Sequence, residues 1–163
     1  RFEDHCRVEC TSREGIQLGR NFKLGAFSRM IASGTLSDLG KGIRIGDNVG
    51  IGEFAYIGGA GGVVIGSDTI VGQYFSVHPE NHVFTDLNLS IREQGVTRAG
   101  IEVGEGCWIG AKVTLTDGVN VGRHSVIAAG SVVTRSFPEY SIIGGVPARL
   151  LRSRIDLKKD EHV

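Results

Sequence analysis

Two histidines, His78 and His82, stand at the start of HPENHVFTDLNLSIREQGVTRA, residues 78–99, and are the best-placed groups in the chain for proton transfer. An unperturbed imidazole titrates near about pH 6.5, so either ring can take a proton from a hydroxyl at neutral pH. No serine or cysteine nucleophile motif stands beside them, and no carboxylates are paired at an evident spacing. Direct transfer aided by one base therefore fits better than a covalent intermediate. Glu80 and Glu93 are candidates to orient the imidazole. Histidines four apart could share a metal on a helix face, but Pro79 lies between them and a third ligand would have to come from His124 on a distant turn, so no metal is expected. For His78 alone, shaping the loop is the plainer role.

The segment that must position these groups is a solenoid. From Val103 to Val132 one six-residue phrase repeats five times without a break: VGEGCW, IGAKVT, LTDGVN, VGRHSV, IAAGSV. An amphipathic helix returns its apolar face every three or four residues, so a strict period of six excludes one. A hexapeptide period with glycine at the corners predicts a parallel β-helix, three phrases to a coil, with coils stacked about 4.8 Å apart. The leading aliphatic of each phrase points into the prism. The second residue must be small because the chain bends there. By the same phase Trp108, the only tryptophan, points outward, as an interface residue or a wall of a site.

In chain order, residues 1–15 form a polar, strand-like lead-in, residues 16–134 the β-helix, and residues 135–163 a cap and tail. A turn cluster, SGTLSDLGKG, spans residues 33–42. Ile45, Ile51 and Ile57 lead a clean coil, after which Gly59-Ala60-Gly61-Gly62 inserts two residues and predicts a bulge. That stretch lacks the Lys-Ser/Thr and the following helix of a phosphate loop. The phase breaks at Val77 and resumes near Ile101, so residues 78–99 must leave the prism as a protruding loop, with Phe84, Leu87, Leu89 and Ile91 available to pack. Pro138 ends the winding. Pro147 is expected to open a short helical cap, with Leu150, Leu151 and Ile155 on its apolar side, before a charged, frayed tail from Asp156. A prism filled by aliphatic ladders has no deep pocket, so a site lies outside it, where loops or neighbouring chains form a cleft.

Composition narrows the partners. With 18 basic and 18 acidic residues the net charge is zero, which argues against a nucleic-acid binder. No apolar run approaches a membrane span and no leader pattern opens the sequence. Cys6, Cys10 and Cys107 have no zinc-type spacing and read as reduced thiols of a cytoplasmic protein.

The repeat, together with ENHVFTD, IREQGVTRAG, CWIGAKVTLTDGVNVG and SVIAAGSVVTRSFPEYSIIGGVPARL, resembles the hexapeptide-repeat acyltransferases. Within them it is similar to the sugar O-acetyltransferases of galactoside, maltose and nodulation type and to the polysaccharide acetyltransferases. The resemblance covers roughly residues 43–152. It implies an all-β left-handed parallel β-helix, acetyl-CoA as donor, and a homotrimer with its sites in clefts between subunits. It places the family's catalytic histidine on His82, seventeen residues after the repeat-opening Ile65. Trp108 falls beside the acceptor, with His78 near it, and Ala111, Ala129, Thr134, Arg135, Arg149 and Arg152 match positions that hold the donor. Small residues there let backbone amides approach a thioester, and guanidinium groups suit the CoA phosphates. The positions that hold the sugar in galactoside enzymes fall near Gly52 and Ala60, which offer no side-chain hydrogen bond. The implied reaction is O-acetylation of a sugar or glycan precursor, with an amino sugar as second acceptor and an antibiotic as third. The rival readings are a γ-carbonic-anhydrase-like metalloenzyme and a non-catalytic β-helical scaffold.

Overall fold

The computed structural model describes residues 1–34 and 38–160, with side chains as far as Leu157 in the last helix. Part of the turn cluster, residues 35–37, and the end of the tail with His162 lie outside the described residues. Within them the chain winds through three parallel sheets in strict rotation. Sheet I stacks Ile16–Leu18, Ile43–Ile45, Val63–Ile65, Ile101–Val103 and Asn120–Val121. Sheet II runs from Lys23–Leu24 through Gly50–Ile51, Ile70–Val71, Trp108–Ile109 and Val126–Ile127 to Ser141–Gly145. Sheet III stacks Arg7–Thr11, Arg29–Ser33, Tyr56–Gly58, Ser76–His78, Thr114–Thr116 and Val132–Val133. The polar lead-in thus contributes a strand to sheet III.

The inward ladders are those that the phrase predicts. Leu18, Ile45, Ile65, Val103 and Val121 stack in register on sheet I. On sheet II, Leu24, Ile51, Val71, Ile109, Ile127 and Ile143 do the same. Met30, Ile57, Val77, Leu115 and Val133 form the third ladder. All but the partly buried Leu18 are buried, as are the fifth residues of the five phrases, Cys107, Val113, Val119, Ser125 and Ser131. The buried hydroxyls find carbonyls, Ser125 donating to Pro138 at 3.3 Å and Ser131 to Ala128 at 2.6 Å.

Two corners of the prism are regular and one is not. Where sheet II turns into sheet III, a Cβ on Gly72 would lie 2.6 Å from the Ala111 nitrogen, which explains the small residue required at the bend. The rings of His5, Phe27, Phe54 and Tyr74 stack up this corner at 4.8, 5.3 and 5.0 Å. Between sheets I and II an amide ladder runs from Asn21 to Asn48 at 2.9 Å and on to Asp68 at 2.8 Å. The third corner, from sheet III to sheet I, takes the interruptions of the period that follow Ser33, Gly58 and His78.

The C-terminal cap differs from the expectation of a helix opening at Pro147. Ser141–Gly145 continues sheet II, and Ala148–Ser153 returns along it antiparallel. A returning strand can pair the backbone of Ser141–Gly145, which a helix could not do, and Ala148 is fully buried in the process. The helix is displaced to Arg154–Asp160, and Leu150, Leu151 and Ile155 remain exposed.

Candidate active site

The loop at the irregular corner begins as a hairpin. Pro79 and Glu80 lead from sheet III into Asn81–His82, which pairs antiparallel with Val96–Thr97, placing His82 opposite Val96. Val83 N–H extends the pairing to the Gly95 carbonyl at 3.1 Å. Beyond it, polar groups order the loop. Gln94 accepts from Asp86 N–H at 2.9 Å and donates to the carbonyls of Asp86 and Leu89. The Glu93 carboxylate accepts from the hydroxyl of Ser90 at 2.7 Å and from its N–H at 3.1 Å, and these bonds hold its pKa below the ordinary value. The apolar residues available for packing are instead exposed, Leu87 to 95%.

The neck of the hairpin overhangs a cleft of about 260 Å³, lined by Ser33, Tyr56, Ala60, His78, Glu80 and His82 among others. The structure therefore brings the two histidines together. His78 is tied to the prism, with Nε2 2.6 Å from the Ser76 hydroxyl and its ring 5.4 Å from that of Tyr56. Ser76 and Tyr56 are themselves register partners on adjacent strands. Neither carboxylate proposed to orient an imidazole does so: Glu93 is committed to Ser90, and Glu80 accepts from Arg98 at 3.2 Å. Among the described residues no side-chain hydrogen bond engages the His82 ring. A larger cavity of about 430 Å³ runs along sheet I past Gln17, Arg44, Glu102 and Asn120, and contains no histidine.

The other candidate residues are distributed over the prism. Ala111 and Ala129 are stacked at the corner from sheet II to sheet III, where Gly130 N–H donates to the Ala111 carbonyl at 2.8 Å. Arg149 faces Gly144 across the C-terminal hairpin, and Gly144 packs beside Ala128, so this cation belongs to the same corner. Arg152 lies further along the same strand, opposite Ile142. Thr134 and Arg135 leave sheet III at the corner that carries the loop, with the Arg135 guanidinium 5.2 Å over the Phe137 ring. Trp108 stands outside sheet II between Ile70 and Val126, 59% exposed, and does not line the histidine cleft of its own chain. Among the described residues, no three of His, Cys, Asp and Glu are grouped to hold a metal ion. No described helix is long and apolar enough to cross a membrane.

Four residues in or beside this cleft were missed in the sequence. Ser33 and Tyr56 line the cleft with polar side chains, and Ser76 bonds His78 beside it, a neighbour that the two-residue alternation of the strand could have revealed. Arg98 gives no local signal, because its partners lie 18 and 60 residues away.

The signature of the bacterial transferase hexapeptide, six repeats, matches residues 100–135. A putative acetyltransferase of Staphylococcus aureus strain COL is 30% identical over 154 residues, covering 91% of this chain and 74% of that protein. The chain belongs to the hexapeptide-repeat acetyltransferases. Its β-helix is accordingly the left-handed one of that family. A putative lipopolysaccharide biosynthesis O-acetyl transferase of Escherichia coli K12 is 29% identical over 164 residues, covering 93% of this chain and 81% of that one. A crystal structure of a hexapeptide-repeat acetyltransferase from Vibrio cholerae, complexed with acetyl coenzyme A, superimposes with a TM-score of 0.73 at 28% identity. It covers 84% of this chain and 70% of that one. Relatives also differ in length, and the chain spans only 37% of a probable acetyltransferase of Mycobacterium tuberculosis.

Proposed function

We propose that this hexapeptide-repeat acetyltransferase moves an acetyl group from acetyl-CoA to a hydroxyl of a sugar or glycan precursor, with His82 as general base. The observation that carries the reading is the position of His82, held by strand pairing over a cleft that also presents Tyr56, Ser33 and His78 to a polar acceptor. Kinship with a protein named for lipopolysaccharide O-acetylation supports the acceptor class, and the acetyl-CoA complex of the Vibrio relative supports the donor.

His82 takes the proton of the acceptor hydroxyl as its oxygen bonds to the acetyl carbonyl carbon. The resulting tetrahedral oxyanion is met by a backbone N–H, assigned to Ala111, which stands at a different corner of the prism from His82 and so serves the site across a subunit cleft of the homotrimer. Collapse breaks the carbon–sulfur bond, and the leaving thiolate takes up the proton from the imidazolium. Ala111 and Ala129 leave their corner open to the thioester arm, and the exposed guanidinium groups of Arg135 and Arg149 suit phosphate. Trp108 and Ile70 lie on a face away from the histidines, which fits a homotrimer in which Trp108 walls the site of a neighbouring subunit.

The test is free-thiol release from acetyl-CoA against mono- and oligosaccharides, amino sugars and antibiotics, with His82→Ala beside the wild type. Release that requires one hydroxyl acceptor and His82 supports the reading. Release only with amines, or unchanged release by His82→Ala, overturns the corresponding part.

A further inference from the structure

The hairpin that carries His82 is closed at its neck by one guanidinium. Arg98 follows Thr97 at the end of the second strand and Glu80 precedes Asn81 at the start of the first, so the two flank the Asn81–Thr97 pair. Arg98 Nε donates to Glu80 Oε2 at 3.2 Å, while Nη1 lies 2.7 Å from Asp38 Oδ2 and donates to the Asp38 carbonyl at 3.3 Å. Asp38 belongs to the earlier interruption of the same corner. The Arg98 side chain is only 18% exposed, unlike the surface pairs elsewhere, such as Arg20–Asp47, whose arginine side chain is 88% exposed. Beneath the neck, a Cβ on Gly61 would strike the Pro79 carbonyl and approach the Arg98 Cβ, so loop and prism meet here without slack.

The geometry points to Arg98 as a positioning residue: it locks the neck of the His82 hairpin to the prism through Glu80 and Asp38, and so fixes the imidazole over the acceptor cleft. A planar guanidinium can serve two carboxylates in fixed directions at once, which an ammonium cannot. Without it neither carboxylate has the bond that ties it to the neck, and the neck is free to swing. Since the His82 ring has no side-chain hydrogen bond among the described residues, its placement depends on the strand that carries it. The inference rests on His82 being the base, and its test separates the two.

In the full chain, Arg98→Gln should lower kcat by about 10- to 100-fold, the cost of a misplaced reacting group, and leave KM for acetyl-CoA within about twofold. Amide exchange at Val83, whose N–H closes the hairpin onto Gly95, should accelerate by at least about tenfold while exchange in the prism stays unchanged. Arg98→Lys should recover part of kcat. Glu80→Gln and Asp38→Asn, each removing one arm, should give smaller losses and serve should Arg98→Gln fold poorly. On a His82→Ala background Arg98→Gln should cost nothing further, since there is no base left to place. Unchanged exchange and kcat in Arg98→Gln, or an undiminished loss on the His82→Ala background, would overturn the inference. If His82→Ala turns over normally while Val83 exchange still accelerates in Arg98→Gln, the base assignment fails and the clamp stands.

Discussion

The hydroxyl of Ser76 and Nε2 of His78 lie 2.6 Å apart on the outward side of one strand, which fastens His78 to the prism while His82 stands on the projecting hairpin. The two histidines should therefore differ under mutation. His82→Ala should lower acceptor-dependent thiol release by about 10²- to 10⁴-fold, the usual cost of a lost general base. His78→Ala and Ser76→Ala should resemble one another and cost less. A larger loss for His78→Ala than for His82→Ala would exchange their roles.

Gly61 tests the seat of the loop. A methyl group there runs into the Pro79 carbonyl, so Gly61→Ala must move the start of the hairpin. Overpacking of this kind costs about 1–3 kcal/mol, and thermal unfolding should show it. Turnover should fall further than Tm accounts for, because the displaced segment carries His82. Full activity in a less stable variant would show that the hairpin has room to adjust.

The outer face of sheet II tests assembly. Ile70 is 64% exposed and neighbours Trp108 in register. On a free surface Ile70→Asp should alter stability by less than about 0.5 kcal/mol. If this face packs against a neighbouring subunit, the substitution should yield monomers in light scattering and abolish turnover.

Leu115 tests the ladder. It is fully buried between Val77 and Val133, so Leu115→Ala should destabilise the chain by about 2–5 kcal/mol in urea unfolding. A cost below about 1 kcal/mol would mean that the prism closes around the gap.

Cys107 gives a pH dependence. Burial pushes its thiol above the ordinary value of 9.0, with backbone hydrogen bonds opposing only in part. Between the unfolded and folded values the unfolded chain has lost a proton that the folded chain keeps, so stability falls as pH rises. This contribution should be complete below about pH 9 and decline above it. Cys107→Ala should remove that part of the alkaline slope, and in the native chain Cys107 should react with a thiol reagent more slowly than the exposed Cys10.

The prism was legible because a period of six dictates it. Val103, Ile109, Leu115, Val121, Ile127 and Val133 are all buried, and Trp108 points outward as its phase requires. The loop was legible only as a departure from that period. Its order comes from Gln94 and Glu93 reaching a few residues back, and polar loop bonding has no periodic signature. The C-terminal strand was misread because Pro147 followed by Leu150, Leu151 and Ile155 also fits a helix; the open edge of Ser141–Gly145 decided otherwise. The Arg98 clamp joins two departures from the prism, and nothing in either predicts that they touch.

The interruptions that follow Ser33, Gly58 and His78 leave the prism at one corner, so among the described residues the molecule has a single seam open to change. Lengthening an excursion there costs little, about 0.6 kcal/mol for each doubling of its length, whereas an added residue at either of the other corners would throw whole ladders out of register. Under the proposed function, acceptor preference can therefore be rewritten by exchanging loops along the seam while Ala111, Ala129 and Arg149, at another corner, stay untouched. For a protein engineer, grafts at residues 33–42 and 78–100 form one linked library, and the guanidinium that spans them decides which combinations remain compatible.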